Sequence, residues 1–146
     1  MMSCNFLGHG DCYDVDVKQL RHNIEKLILS GVDAFYVGNH GYFDSIVFEC
    51  LLGLEKIYQG ISISVVLAYL PTKQSEYDPY SHYSIYPEGI EIGPPRFAIE
   101  RRNKWMIGQS KYCICYINHA WGNAYKFARQ AKRQGLTVIN LGKEVL

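Results

Sequence analysis

The sequence lacks the features that mark membrane, secreted and nucleic-acid-binding proteins. No apolar run approaches the roughly 20 residues of a bilayer-spanning helix. The first residues, Met1 to Cys4, lack the basic and long apolar stretches of a signal peptide. The formal net charge of +1 is too small for a surface that binds nucleic acid or acidic lipid through charge. We therefore expect a soluble, cytoplasmic protein without membrane attachment, and nucleic acid as an unlikely partner.

Cysteine occurs, but in no pattern that predicts disulfides or a metal cage. The five cysteines are an odd number and contain no CxxC spacing. Cys113 and Cys115 stand in an apolar segment, where a strand would point both side chains to one face. Buried free thiols of a reducing compartment are the simplest interpretation. We expect no metal site and no required cofactor.

Apolar residues are plentiful and alternate between strand-like and helix-like patterns. Of the 146 residues, 48% are hydrophobic, enough for the core of a single domain over residues 1–146. Besides the apolar run that begins at Cys4, strands are predicted at residues 33–38, 61–70, 112–117 and 136–141. Helices are predicted within residues 17–28 and 46–57, and at 97–108 and 122–134.

Three of the predicted strands are followed by a glycine-bearing turn and then a helix. These turns lie at residues 8–10, 38–41 and 118–123. In a parallel sheet such turns emerge at the same carboxyl edge, where α/β folds bind ligands. Glycine lets the backbone approach a ligand closely, and a helix N-terminus attracts an anion. The sequence thus predicts an α/β fold, a Rossmann-like three-layer sandwich with a mainly parallel sheet of about five strands, and a site for a phosphate-bearing molecule.

Residues 72–95 form a Tyr/Pro-rich excursion that does not fit this alternation. The segment contains Tyr77, Tyr80, Tyr83, Tyr86, Pro79, Pro87, Pro94 and Pro95 and shows no sustained period. It is either an ordered excursion whose tyrosines pack on the domain, or a lid that places a tyrosine over a flat ring of the ligand.

Four motifs, in sequence order, resemble the SLOG superfamily. They are Phe6-Leu7-Gly8-His9-Gly10, the segment from Gly38 to Glu49 with Gly41, Phe43 and Asp44, the run Arg102-Asn103-Lys104-Trp105-Met106, and Trp121-Gly122-Asn123-Ala124-Tyr125 followed by Gly135, Val138 and Ile139. Within the superfamily the chain is similar to a branch of small, mostly uncharacterised bacterial proteins. The superfamily has a Rossmann-like fold and includes cytokinin-type nucleoside-monophosphate phosphoribohydrolases, a DNA-processing protein and sensor domains for nucleotide-derived signals. The resemblance implies a nucleotide-like ligand without fixing a reaction.

The phosphoribohydrolase branch differs from this chain in a loop that matters for turnover. Arg102 falls on the arginine of that branch's Met-x-x-Arg-Lys helix motif, while Asn103 replaces the lysine. The Pro-Gly-Gly-x-Gly-Thr-x-x-Glu loop is poorly matched by residues 120–128, and no carboxylate stands at 126–128. The resemblance assigns that glutamate to charge stabilisation or proton transfer in N-glycosidic cleavage. Enzyme activity is therefore left open, and binding without turnover is favoured.

The candidate site gathers residues from four segments. We expect the largest polar-rimmed cleft to be lined by residues 8–10, 38–44, 102–106 and 119–124. The candidate ligand-binding residues are Gly8, His9, Gly10, Gly38, Asn39, Gly41, Asp44, Arg102, Asn103, Met106, His119, Trp121, Gly122 and Asn123. No catalytic residue is assigned.

The polar candidates each have a structural alternative. Arg102 grips a phosphate bidentately, or is a surface arginine of a charged run. Asp44 caps the second helix, or accepts hydrogen bonds from ribose hydroxyls. Asn103 hydrogen-bonds ribose or base, or pairs with a loop carbonyl.

Each aromatic candidate also has two alternative roles. His9, His40 and His119 all fall in turns at the predicted edge, where they hydrogen-bond a ligand or simply the loops. Trp121 is either a core aromatic or a platform on which a base stacks.

The favoured function is the binding of a nucleotide-derived small molecule, to sense or sequester it, by a homo-oligomer. The alternatives are a nucleoside-monophosphate phosphoribohydrolase, a DNA-binding module, and a protein-interaction module that uses the Tyr/Pro-rich excursion.

Overall fold

Six parallel strands form one sheet in the computed structural model, which describes residues 2–11, 13–70 and 81–146. In chain order the elements are β1 Ser3–Gly8, α1 Val17–Leu29, β2 Ala34–Val37, α2 Tyr42–Glu55, β3 Ser62–Val66, β4 Ser84–Ile85, a 3-10 turn Pro95–Phe97, α3 Ala98–Gln109, β5 Tyr112–Tyr116, α4 Asn123–Arg133 and β6 Thr137–Asn140. The predicted α/β class, with a Rossmann-like parallel sheet, is confirmed.

The order of the strands places a switch point in the middle of the sheet. The order is β4-β3-β2-β1-β5-β6, so the chain moves outwards from β1 to β4 and then returns, through α3, to the other side of β1. The loops that follow β1 and β5 therefore lead away in opposite directions and leave a crevice between them. Gly8 is paired with Tyr116, which brings the carboxyl ends of both strands to the same level.

Helices cover both faces of the sheet, and strand side chains alternate between two cores. On the face of α1 and α2 lie Phe6 and Ile114. On the face of α3 and α4 lie Leu7, Cys113 and Cys115. The two cysteines are buried free thiols that share a face, as predicted, whereas Cys12 lies outside the described residues.

The four helices of the described residues are short and begin in different ways. They run from 11 residues in α4 to 14 in α2. At the start of α1, the Asp16 side chain accepts a hydrogen bond from the backbone N–H of Gln19 at 3.2 Å, which makes it an ordinary N-cap.

Across the described part of the chain, no helix combines the length and apolar character needed to cross a membrane.

The predicted count of about five strands omits β4, which lies in the Tyr/Pro-rich excursion. This strand has two residues and pairs with the end of β3. The Tyr83 hydroxyl donates to the Glu55 carboxylate of α2 at 2.8 Å, its ring packs edge-on against Phe48, and Tyr86 packs against both cores. From residue 81 onwards the excursion is thus ordered and packs its tyrosines on the domain, while residues 72–80 lie outside the described residues.

Asn5 is a polar residue in the middle of β1, and its buried amide should lower the stability of the fold. It is completely buried, and within the described residues neither atom of its amide has a hydrogen-bond partner. Such a group costs about 1–3 kcal/mol. Because valine has a similar volume and suits a strand, Asn5→Val should raise the free energy of unfolding by about 1–3 kcal/mol in urea denaturation.

The matched control for this substitution is Leu7→Ala, which truncates a buried side chain of the same strand. It should lower the free energy of unfolding by about 2–5 kcal/mol. A destabilised Asn5→Val protein would mean that the amide is hydrogen-bonded in solution.

Candidate functional site

A cleft of about 260 Å³ opens at the switch point, on the carboxyl edge of the sheet. Its lining residues are Phe6, Leu7, Gly8, Gly10, His40, Gly41, Asp44, Ile99, Arg102, Asn103, Met106, Asn123 and Ala124. The four predicted segments therefore meet in one place, although they are far apart in the chain. The cleft is not the largest, because a groove between α1 and α2 measures about 380 Å³.

The predicted site residues divide into those that line this cleft and those that lie beside it. Lining it are Gly8, Gly10, Gly41, Asp44, Arg102, Asn103, Met106 and Asn123, whereas His9, Gly38, Asn39, His119, Trp121 and Gly122 are outside the lining. Three apolar lining residues, Phe6, Leu7 and Ile99, stand outside the four segments predicted from the sequence. For Ile99 a signal existed, because it stands three residues before Arg102 and so shares its face of α3.

Arg102 is the centre of a buried polar cluster. Its side chain is only 3% exposed, so the interpretation as a surface arginine is wrong. The Nε atom donates to Oδ1 of Asn103 at 3.0 Å, and Nη1 donates to the Val66 carbonyl at 3.4 Å. Among the described residues, Nη2 has no hydrogen-bond partner. Arg102 thus lines the cleft and keeps one donor atom without a partner among the described residues.

His40, in the loop between β2 and α2, completes this cluster. Its Nδ1 lies 3.3 Å from Nη1 of Arg102. Since a guanidinium can only donate, Nδ1 accepts, and the neutral imidazole then carries its proton on Nε2. Burial and the neighbouring Arg102 charge both lower the pKa of His40, which favours this neutral form.

Gly38 leaves the space that the two charged side chains occupy. A Cβ at this position would lie 2.6 Å from Nη1 of Arg102 and 2.9 Å from Oδ2 of Asp44. The guanidinium and the carboxylate therefore sit side by side over the Gly38 backbone. Among the described residues, no direct ion pair joins the guanidinium to the carboxylate. The role of Gly38 is to admit these groups, although it does not itself line the cleft.

Asp44 closes the turn that leads into α2 and faces the cleft. Its Oδ2 accepts a hydrogen bond from the backbone N–H of His40 at 2.9 Å, so it bonds backwards to the loop. Burial raises the pKa of Asp44 to about 6, against the opposing effects of the Arg102 charge and this hydrogen bond. A carboxyl group with a perturbed pKa in a cleft is a candidate for a functional role.

Two helices begin at the cleft without side-chain caps. The residue before α2 is Gly41 and the residue before α4 is Gly122, and both have a positive φ, of 96° and 92°. The first N–H groups of a helix have no partner inside it, and they carry the positive end of its dipole. The first turn of α4 contains no acidic residue, and its Asn123 and Ala124 line the cleft. This end of the cleft suits an anion.

His9, His119 and Trp121 form a continuous stack of three rings beside the cleft. The ring centroids are 3.6 Å apart between the histidines and 3.7 Å apart between His119 and Trp121, with interplanar angles of 19° and 18°. The Nδ1–H of His119 donates to the Trp121 carbonyl at 3.1 Å. Trp121 is 68% exposed, so it is not a core aromatic. The stack joins the loop after β1 to the loop after β5.

Comparison of the chain with models of known protein families finds no match, and comparison with curated proteins finds none either. The resemblance to the SLOG superfamily stays a prediction that rests on its four motifs.

The raised pKa of Asp44 predicts a pH dependence of stability with a defined sign. Because the folded state binds this proton more tightly than the unfolded chain does, the group favours folding most below its unfolded pKa of 3.8, and this contribution is lost as pH rises to about 6. The loss amounts to about 3 kcal/mol at most. Asp44→Asn removes the titration and keeps an acceptor for the His40 N–H.

Urea denaturation of both proteins between pH 4 and pH 7.5 tests this prediction. The free energy of unfolding of the wild type, relative to Asp44→Asn, should fall as the pH rises. A relative stability that rises with pH would instead show that the Arg102 charge outweighs burial.

Proposed function

We propose that the protein binds a nucleotide-derived small molecule, with its anionic group in the switch-point cleft, and so senses or sequesters it. One observation carries the proposal: Arg102, whose Nη2 has no hydrogen-bond partner among the described residues, is buried in the lining of a cleft at which two helices begin without side-chain caps. A guanidinium binds phosphate through charge-assisted and often bidentate hydrogen bonds. The N-termini of helices add backbone N–H donors at the positive end of the helix dipole, which also attract an anion.

Asp44 supports a ligand that carries hydroxyl groups beside its anionic group. Its Oδ1 atom has no hydrogen bond within the described residues, whereas Oδ2 is held by the His40 N–H. A carboxylate only accepts hydrogen bonds, so a hydroxyl is its natural partner. Arg102 and Asp44 together match the phosphate and ribose hydroxyls of a nucleotide, which is also what the SLOG resemblance implies. We therefore propose membership of that superfamily, and we keep the cytoplasmic location and the homo-oligomer as predictions.

A nucleoside-monophosphate phosphoribohydrolase is the second candidate, and one observation favours it. Asp44 is the carboxylate that lines the cleft, and its pKa of about 6 would allow it to exchange a proton near neutral pH. Against it, the loop before α4 and the first turns of that helix supply no carboxylate at residues 120–128.

Arg102 offers the direct test of the anion site. Replacing it with lysine retains a charge but removes the planar donor pair, and replacing it with glutamine removes the charge as well. Either change should weaken the binding of AMP about tenfold to hundredfold in calorimetric titration, because a hydrogen bond to a charged group contributes about 1.5–3 kcal/mol. Because the side chain is buried beside Asp44, Arg102→Gln should also lower the melting temperature.

Lys104→Ala is the matched control, since Lys104 is an exposed cation on the same helix. Arg101 is unsuitable, because its guanidinium binds the carbonyls of Ile90 and Pro94 at 2.6 and 2.9 Å and so holds the preceding segment. Unchanged AMP affinity in folded Arg102→Gln protein would contradict the proposal.

Incubation with nucleoside monophosphates separates binding from turnover. We expect little or no release of free base from AMP, GMP, CMP or UMP, measured by chromatography, because the loop before α4 offers no carboxylate for glycosidic cleavage. Rapid release that Asp44→Asn abolishes would establish the second candidate function and identify Asp44, in the first turn of α2, as the acid.

A further inference from the structure

We propose that the base of the bound nucleotide stacks on the exposed indole of Trp121, as the fourth ring of the His9–His119–Trp121 stack. This inference rests on the proposed function and names the part of the ligand that the cleft leaves outside. The ligand class is an anion that carries a flat aromatic ring, rather than a bare phosphate or a sugar phosphate.

The size of the cleft limits which part of a nucleotide it encloses. At about 260 Å³ it is smaller than the roughly 300–1,000 Å³ that is typical of small-molecule sites. Two charged residues in its lining, Arg102 and Asp44, suit a phosphate and the hydroxyls of a sugar. The base then lies at the mouth of the cleft and needs a surface of its own.

Trp121 provides such a surface at the appropriate place. It stands two residues before Asn123, which lines the cleft at the start of α4. One face of the indole is covered by the His119 ring at 3.7 Å, and the side chain is nevertheless 68% exposed. Its other face is therefore open to a further ring.

The stack also holds this surface in position before any ligand arrives. His9 is buried in the loop after β1, His119 lies on it at 3.6 Å, and the Nδ1–H of His119 binds the Trp121 carbonyl. A ring that is already fixed loses little side-chain entropy when a base stacks on it. A base is a suitable partner because every base has a π-face, so the stacking does not depend on which base the nucleotide carries.

A second pair of exposed aromatics provides the control. Tyr13 is 72% exposed and contacts Tyr42 at a ring distance of 5.1 Å with an interplanar angle of 52°. These two rings are tilted and do not extend a flat stack. Tyr13→Ala therefore removes a similar amount of exposed aromatic surface without touching the proposed platform.

The experiment compares nucleotides with ribose 5-phosphate, which has the anion and the sugar but no base. Wild type and Tyr13→Ala should bind AMP, GMP, CMP and UMP about tenfold to hundredfold more tightly than ribose 5-phosphate in calorimetric titration. Trp121→Ala should lose that difference and keep its affinity for ribose 5-phosphate. In Trp105→Phe, where Trp121 is the remaining tryptophan of two, AMP should quench the fluorescence and ribose 5-phosphate should not.

The possible outcomes separate this inference from the proposed function. Equal wild-type affinities for nucleotides and ribose 5-phosphate would overturn the stacking platform and leave the anion site standing. Loss of ribose 5-phosphate binding in Trp121→Ala would overturn it as well, because Trp121 would then act on the shape of the cleft. If the wild type binds neither kind of ligand, the proposed function fails and the platform fails with it.

Discussion

The burial of the Arg102 charge is the constraint on which the arrangement of the cleft depends. A guanidinium removed from water has to be compensated by hydrogen bonds and a nearby negative charge. Asn103, His40 and the Val66 carbonyl supply the hydrogen bonds, and Asp44 supplies the charge without forming a direct pair. Gly38 is part of the same requirement, since a side chain there would occupy the space of both charged groups. Replacing such a cluster with apolar residues often costs nothing in stability, which favours a functional reason for it.

Two titratable side chains beside Arg102 are both shifted towards their neutral forms. Burial lowers the pKa of His40 and raises that of Asp44 to about 6, so both groups are drawn towards their neutral forms. An anion bound to Arg102 would repel the Asp44 carboxylate and favour its protonation further. Under the proposed function, binding of the anion would therefore be accompanied by proton uptake at Asp44, whereas a ligand hydroxyl that donates to Asp44 would favour the ionised form.

Much of the fold and the position of the candidate cleft could be predicted from the sequence, while their details could not. Hydrophobic periodicity was sufficient for the helices and the longer strands, because apolar spacing reflects which faces are buried. It could not reveal β4, since two residues contain no period and this strand exists through its pairing with β3. The burial of Arg102 was missed for a similar reason: neighbouring arginines in a charged run look alike until tertiary contacts separate them, with Arg101 bound to loop carbonyls and Arg102 turned into the cleft.

The sequence by itself determined the class of the fold and the edge at which the candidate cleft opens, because glycine turns after parallel strands emerge on one side. Tertiary structure alone decided which candidate residues share the cleft. Gly8 and Gly10 line it, whereas His9 between them turns away and stacks on His119. The physical reason is that side-chain direction in a loop follows from packing against a distant partner, here the loop after β5, and no local spacing encodes that contact.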